Sequence, residues 1–193
     1  MNPALAAIAA VIAAAAVSCS GSGDSSTAVP RRDAYPRVNL YDTAYVSAPN
    51  LPVNLAINSS ASVSVDEKSS GTHWINISYP RYNATVRLTL QSLSGDSLRR
   101  AIDNRRQRAS LDIGGNTTEL IELTSPAGVT SLLMLTPAAA VTPLHIIATD
   151  SARFILSGVA EFSTPDIEAN APALAAIYAD LLRAAKTLSP AKP

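Results

Sequence analysis

Residues 72–90 read THWINISYPRYNATVRLTL. Two runs of strict alternation lie on either side of Pro80-Arg81. In the first, His73, Ile75, Ile77 and Tyr79 share one face, and Trp74, Asn76 and Ser78 share the other. In the second, Ala84, Val86, Leu88 and Leu90 alternate with Thr85, Arg87 and Thr89. Period-two patterning with β-branched residues marks half-buried strands. A parallel return needs a crossover of about a dozen residues. The link here is far shorter, so the stretch predicts an antiparallel β-hairpin. One face of that hairpin is apolar and must be covered by another layer, which directs the reading of everything around it.

Downstream, SGDSLRRAIDNRRQRASL (94–111) predicts a helix, with Ser94 or Ser97 as its cap and Leu98, Ile102 and Ala109 as a thin apolar stripe. NTTELIELTSPAGVTSLLMLTP (116–137) returns to strand text around a turn at Pro126-Ala127-Gly128. PLHIIATDSARFILSGVAEF (143–162) predicts a further hairpin turning at Asp150-Ser151. Both of its faces are nearly apolar, so its strands are expected at the centre of the sheet, covered on both sides. Asn170-Ala171-Pro172 reads as a helix start. Leu174, Ile177, Tyr178, Leu181, Leu182, Ala185 and Leu188 then recur at helical spacing up to Pro190. Upstream, YPRVNLY (35–41) and LPVNLAIN (51–58) each read as a strand. The expected fold class is α+β: a mainly antiparallel twisted sheet of about six to eight strands with two packed helices.

A chain of 193 residues fits one domain plus a short appendage. With 47% hydrophobic and 16% charged residues it can build a core. Lys+Arg and Asp+Glu are both 15, so no excess of positive charge exists to neutralise phosphates, and nucleic acid is not an expected partner. One cysteine forms no intramolecular disulfide. That thiol and two histidines, without HExxH or CxxC spacing, predict no metal site, and no cofactor is expected.

MNPALAAIAAVIAAAAV (1–17) is apolar but shorter than the roughly 20 residues that span a membrane, and it reads as a secretory leader. It lacks the usual basic residue near Met1. Ala16-Val17-Ser18-Cys19 resembles a bacterial lipoprotein processing box, in which the thiol is acylated and the chain is cut before it. The plainer alternative is an ordinary secretory signal with an incidental cysteine. The expected organisation is a lipoprotein signal peptide (1–18), a lipidated Cys19 (palmitate-type acylation) and flexible tether (19–33), and a single domain (34–190). Several acyl chains anchor firmly where one is marginal. Ser20, in place of an aspartate after the cysteine, favours the outer membrane with the domain facing the periplasm.

The order YPRVNLY, LPVNLAI, HWINISYPRYNATVRLTL, a helix, then ATDSARFILSGVAEFSTPDIEANAPALAAIYADLLRAAKTL resembles the gliding-motility lipoprotein D (GldD-like) family, carried by Bacteroidota. The resemblance runs from about Tyr35 to Leu188. Its most specific piece is W-x-N-I-x-Y-P-x-Y-x-A-T: Trp74, Asn76, Ile77, Tyr79, Pro80, Tyr82, Ala84 and Thr85. The second is the closing hairpin and helix from Thr149-Asp150-Ser151. The resemblance implies a cell-envelope lipoprotein needed for gliding motility and associated protein secretion, with a plan similar to the PsbP-like α/β sandwich. It offers no catalytic residues. The chain departs from the family in its alanine richness and in the all-arginine basic set of its first helix.

His73 and His145 lie in strand text among apolar neighbours and read as buried, hydrogen-bonded core histidines; catalysis would need a third group beside them. There is no G-x-S-x-G, P-loop or GxGxxG, and Gly114-Gly115 reads as a turn. Asp112, Glu119, Glu122, Asp150 and Glu161 are scattered, and acid–base work would need them to converge. Arg99, Arg100, Arg105, Arg106 and Arg108 crowd the first helix. They read as a solvated face partly paired with Asp103. The functional reading is a partner or headgroup patch, where each basic side chain contributes about 1 kcal/mol at an anionic surface. Trp74, Tyr79 and Tyr82 read as core and edge residues or as the lining of a groove. The N-x-S/T sites at Asn58, Asn76, Asn83 and Asn116 carry no weight in a bacterium. The expected function is a non-enzymatic adaptor, membrane-bound through its lipid anchor and touching an envelope protein partner. The alternative is a small-ligand or lipid-binding periplasmic module. A hydrolase would require histidine and carboxylates converging in a cleft.

Overall fold

The computed structural model describes residues 44–69 and 71–191. The leader, Cys19, the tether and the expected strand at 35–41 lie outside the described residues. In chain order the elements are β1 (Tyr45–Ser47), β2 (Val53–Asn54), β3 (Ala56–Asn58), β4 (Ser62–Ser69), β5 (Thr72–Tyr79), β6 (Ala84–Ser92), α1 (Gly95–Ile113), β7 (Glu119–Thr124), β8 (Thr130–Leu135), β9 (Leu144–Thr149), β10 (Phe154–Phe162), α2 (Ile167–Thr187) and β11 (Ser189–Pro190).

The expected hairpin is β5–β6, paired antiparallel from Thr72↔Gln91 to Tyr79↔Ala84. Its connection is a single 3-10 turn, Pro80–Tyr82, closed by Asn83 in the left-handed region at φ 49°, where asparagine is tolerated better than most residues. Seven strands form one antiparallel sheet in the order β4-β5-β6-β10-β9-β8-β7. The doubly apolar hairpin β9–β10 lies at its centre, which is why neither of its faces carries a polar stripe. Two short ribbons, β1–β3 and β2–β11, complete the strands of the described residues. The fold is α+β, as the alternation predicts.

The two faces of the sheet differ. On one, α2 packs Ile177, Leu181, Ala184 and Ala185 against Ile75, Ile77, Val86, Leu88, Leu90, Ile146 and Leu156. Val53, Leu55 and Ile57, from the segment of β2 and β3, belong to the same core. On the other face α1 packs on β9 and β10, setting Leu98 and Ala109 against Met134, Ile147 and Ile155. β5 and β6 present Trp74, Asn76, Ser78, Thr85, Arg87 and Thr89 on that side, and Trp74 is 51% exposed. No described helix is long and apolar enough to cross a membrane.

The chain departs from the pattern reading in two places. LPVNLAIN is two short strands, because β2 pairs with β11 whereas β3 pairs with β1. The last helix begins at Ile167, a turn before Asn170: Asp166, following Pro165, accepts the Ala169 N–H at 2.9 Å and is the true cap. Asn170 instead donates to the Thr164 carbonyl at 2.7 Å. Pro172 therefore falls inside the helix, where it leaves the Glu168 carbonyl without its usual donor.

Candidate functional site

At about 100° per residue, the five arginines of α1 cannot share one face. Leu98 and Ala109 point into the sheet, and the arginines divide around them. Arg100, Arg105 and Arg108 join Gln91, Ala101 and Asn104 around an open hollow of about 290 Å³. A deeper hollow of about 220 Å³ shares Arg105 and Arg108 and reaches Asp112 on α1 and His145 and Ser157 on the sheet. Arg106 lies at a separate, larger hollow with Leu120, Glu122 and Met134. Arg99 pairs with Asp96.

Arg105 is half-buried and donates to Gln91 Oε1 at 3.4 Å. Burial, and then the charge of Arg108, push its guanidinium below its usual value. Among the described residues the ion pairs are Arg87–Glu161, Arg99–Asp96 and Arg153–Asp150, so Arg100, Arg105, Arg106 and Arg108 have none. The expected pairing with Asp103 does not form. Arg99 followed by Asp103 at i,i+4 is the weaker orientation for a helix pair, and Asp96 in the first turn takes Arg99 instead.

His145 is buried, as expected, at 4% exposure. Burial holds its pKa below the usual value against the opposing pull of Asp112 and a hydrogen bond with the Thr142 backbone. His73 is only half-buried, because it sits near the open end of the β5–β6 hairpin, across from Glu67 of the edge strand β4. Asp112, His145 and Ser157 line one hollow, yet no hydrogen bond or ion pair joins them; a nucleophile–base relay works at about 3 Å. The other carboxylates do not join them. Asp150 closes the β9–β10 turn by accepting the N–H groups of Ala152, Arg153 and Phe154, and Glu161 pairs with Arg87. Glu119 and Glu122 lie on the edge strand β7. No group of three or more His, Cys, Asp or Glu among the described residues is arranged to hold a metal.

Trp74, Tyr79 and Tyr82 do not line a common groove. Trp74 points to the bare face with Lys68 Nζ 5.1 Å from its ring, whereas Tyr79 lies buried on the opposite face and stacks on Tyr82 at 6.0 Å.

A second polar cluster went unread in the sequence. Asp180, buried on α2, accepts from Tyr45 Oη at 2.6 Å and from Asn58 Nδ2 at 3.2 Å, and its charge acts on the buried Tyr79. Arg183 lies 4.5 Å over the Tyr45 ring. Burial, reinforced by Asp180, pushes Tyr45 up to about 12 and Tyr79 further up still. The available signal was a carboxylate set into the apolar stripe Ala173–Ile177–Asp180–Ala184, where a charge needs partners.

No curated protein matches the chain. A family model described as gliding motility lipoprotein GldD matches residues 25–189, which takes in β1 through α2. With that match covering the Trp74–Thr85 core, both helices and the central hairpin, the chain belongs to the GldD family of gliding motility lipoproteins.

Proposed function

We propose that the protein is a non-enzymatic adaptor of the gliding-motility or secretion machinery in the cell envelope, acting through protein contacts. Residues 1–18 are removed as a lipoprotein signal, Cys19 carries palmitate-type acyl chains, residues 19–33 form the tether and residues 34–190 the working domain. The anchor holds it to the outer membrane, facing the periplasm, in a Bacteroidota-type envelope. The observation that carries the adaptor reading is the half of the sheet that no described element covers. A half-exposed tryptophan set among Asn76, Thr89 and the Arg87–Glu161 pair has the aromatic-plus-arginine composition of protein interfaces.

The test compares wild type with Trp74→Ala/Arg87→Ala in affinity capture from detergent extracts of the envelope. Loss of a specific co-purifying protein by the variant is expected; an unchanged set of captured proteins refutes the role of this face. Palmitate labelling should vanish in Cys19→Ser, and labelling that persists, or a mature product keeping residues upstream of Cys19, removes the anchor. A second reading, a small-ligand or lipid-binding periplasmic module, draws support from the hollows beside α1, where arginines and amides converge.

A further inference from the structure

We infer that the hollow bounded by Gln91, Arg100, Asn104, Arg105 and Arg108 is a binding site for a single phosphate-type oxyanion. It rests on the second reading above and is independent of the adaptor face, which lies on β5 and β6 around Trp74.

Three observations converge. The first is the donor set. Each guanidinium offers five N–H donors in a planar fork suited to oxyanions. Arg105 uses the Gln91 side-chain oxygen as an acceptor, so Gln91 is held in place with its NH2 group left to donate. Asn104, exposed on the same flank, adds an amide with no hydrogen bond of its own among the described residues.

The second is the charge. All six lining residues are arginine, amide or alanine, with no carboxylate among them. Asp112 lines only the adjoining hollow near His145, and the Asp96 carboxylate is taken by Arg99. Arg105 and Arg108 repel one another in a partly desolvated setting, a cost that a bound anion relieves.

The third is size. About 290 Å³ suits one phosphoryl group or lipid headgroup. The two flanks of α1 therefore differ in kind. Arg106 looks onto Glu122 and apolar side chains, so it supplies an internal control.

The experiment uses the full chain with Cys19→Ser, so that no acyl chain contributes to binding. Inorganic phosphate is titrated while side-chain amide and guanidinium NMR signals are followed. In parallel, flotation is measured with phosphatidylcholine vesicles with and without phosphatidylglycerol. Saturable shifts at Gln91, Asn104 and Arg105 are expected. Affinity should fall about tenfold or more in Arg105→Gln/Arg108→Gln, as the loss of charge-assisted hydrogen bonds implies. It should stay within about twofold in Arg99→Gln/Arg106→Gln, which leaves the donor set intact.

Arg108→Glu, at an exposed position, repeats the test without touching the half-buried Arg105, and thermal melts of all variants confirm folding. Phosphate binding without flotation assigns the site to a soluble phosphorylated ligand. Phosphate binding with phosphatidylglycerol-dependent flotation, both lost in Arg105→Gln/Arg108→Gln, assigns it to a headgroup. Absence of saturable shifts, shifts indifferent to the Arg105/Arg108 variants, or flotation equally sensitive to both double variants overturns the inference. In none of these cases does the outcome bear on capture through Trp74.

Discussion

Replacing Asp180 by alanine removes the acceptor shared by Tyr45 and Asn58 and the carboxylate that acts on Tyr79. The three residues respond differently because their exposure differs. Tyr79 is 5% exposed, so little water replaces the carboxylate that acts on it, at about 1–3 kcal/mol. Tyr45 and Asn58 are half-buried and rehydrate, so each loses only the net value of a hydrogen bond, about 1 kcal/mol. Releasing a buried carboxylate returns part of that sum. The balance is a destabilisation of about 2–4 kcal/mol, large against a domain stability of about 5–15 kcal/mol.

Urea unfolding measures it: with a slope of about 2 kcal/mol/M, the midpoint should drop by about 1–2 M. Asp180→Asn, which keeps an acceptor oxygen, should lose about half as much. The cycle of Tyr79→Phe, Asp180→Ala and the double variant should show coupling of about 1 kcal/mol or more. A loss below about 0.5 kcal/mol, or strict additivity in that cycle, refutes the account of Asp180 as the tie between α2, β5 and the β1–β3 ribbon.

The same cluster makes stability fall at high pH. Unfolded tyrosine ionises near 10 whereas Tyr45 holds its proton to about 12, so the unfolded state binds fewer protons above pH 10 and denaturation midpoints should drop from there, less steeply in Tyr45→Phe. His145 acts at the other end. Its folded pKa lies below 6.5, so its contribution is present above 6.5 and lost as pH falls below that value; melts at pH 7 and pH 5 should differ more in wild type than in His145→Gln. Gly158→Ala would place a Cβ 2.0 Å from the Arg87 carbonyl oxygen and 2.8 Å from Leu88 Cα. Main chain cannot yield there without opening the β6–β10 ladder, so the loss should reach about 3 kcal/mol by chemical denaturation. At Asp150, desolvation raises the carboxyl, yet the backbone N–H groups of Ala152, Arg153 and Phe154 with the Arg153 guanidinium outweigh it and hold it below its usual value. Asp150→Ala should cost about 1–2 kcal/mol at pH 7 and progressively less below pH 4, read from melts across that range.

The hairpins β5–β6, β7–β8 and β9–β10 were legible because each carries its whole signal within about twenty residues: alternation, turn, alternation. β4 was not. SVSVDEKS buries only Val63 and Val65, and those in part, since β4 has one neighbour and an unlidded outer face. Its Asp66-Glu67-Lys68 run and the bulge between Glu67 and Ser69 are what an edge strand uses to resist pairing with another chain, and in a sequence they imitate a loop. β1, β2 and β11 are two or three residues long, too short for a period to show. The arginines were legible as a set, but their division into flanks was not. It follows from helical angle and from Gln91, which reaches Arg105 from β6 across 14 positions of chain.

The bare face follows from width. Seven strands at about 4.8 Å spacing span about 29 Å, and one helix about 10 Å across covers two or three of them. On the α2 face the shortfall is made good by the segment carrying Val53, Leu55 and Ile57. On the α1 face no described element does this over β4, β5 and β6. The chain is written for that outcome: Trp74, Asn76 and Ser78 on β5, and Thr85, Arg87 and Thr89 on β6, are polar or amphipathic where β9 and β10 place His145, Ile147, Ile155 and Val159. The switch from alternating to doubly apolar text between β6 and β9 therefore marks where α1 stops covering the sheet. The arginine hollow lies beside that boundary, where Gln91 of β6 meets the flank of the helix.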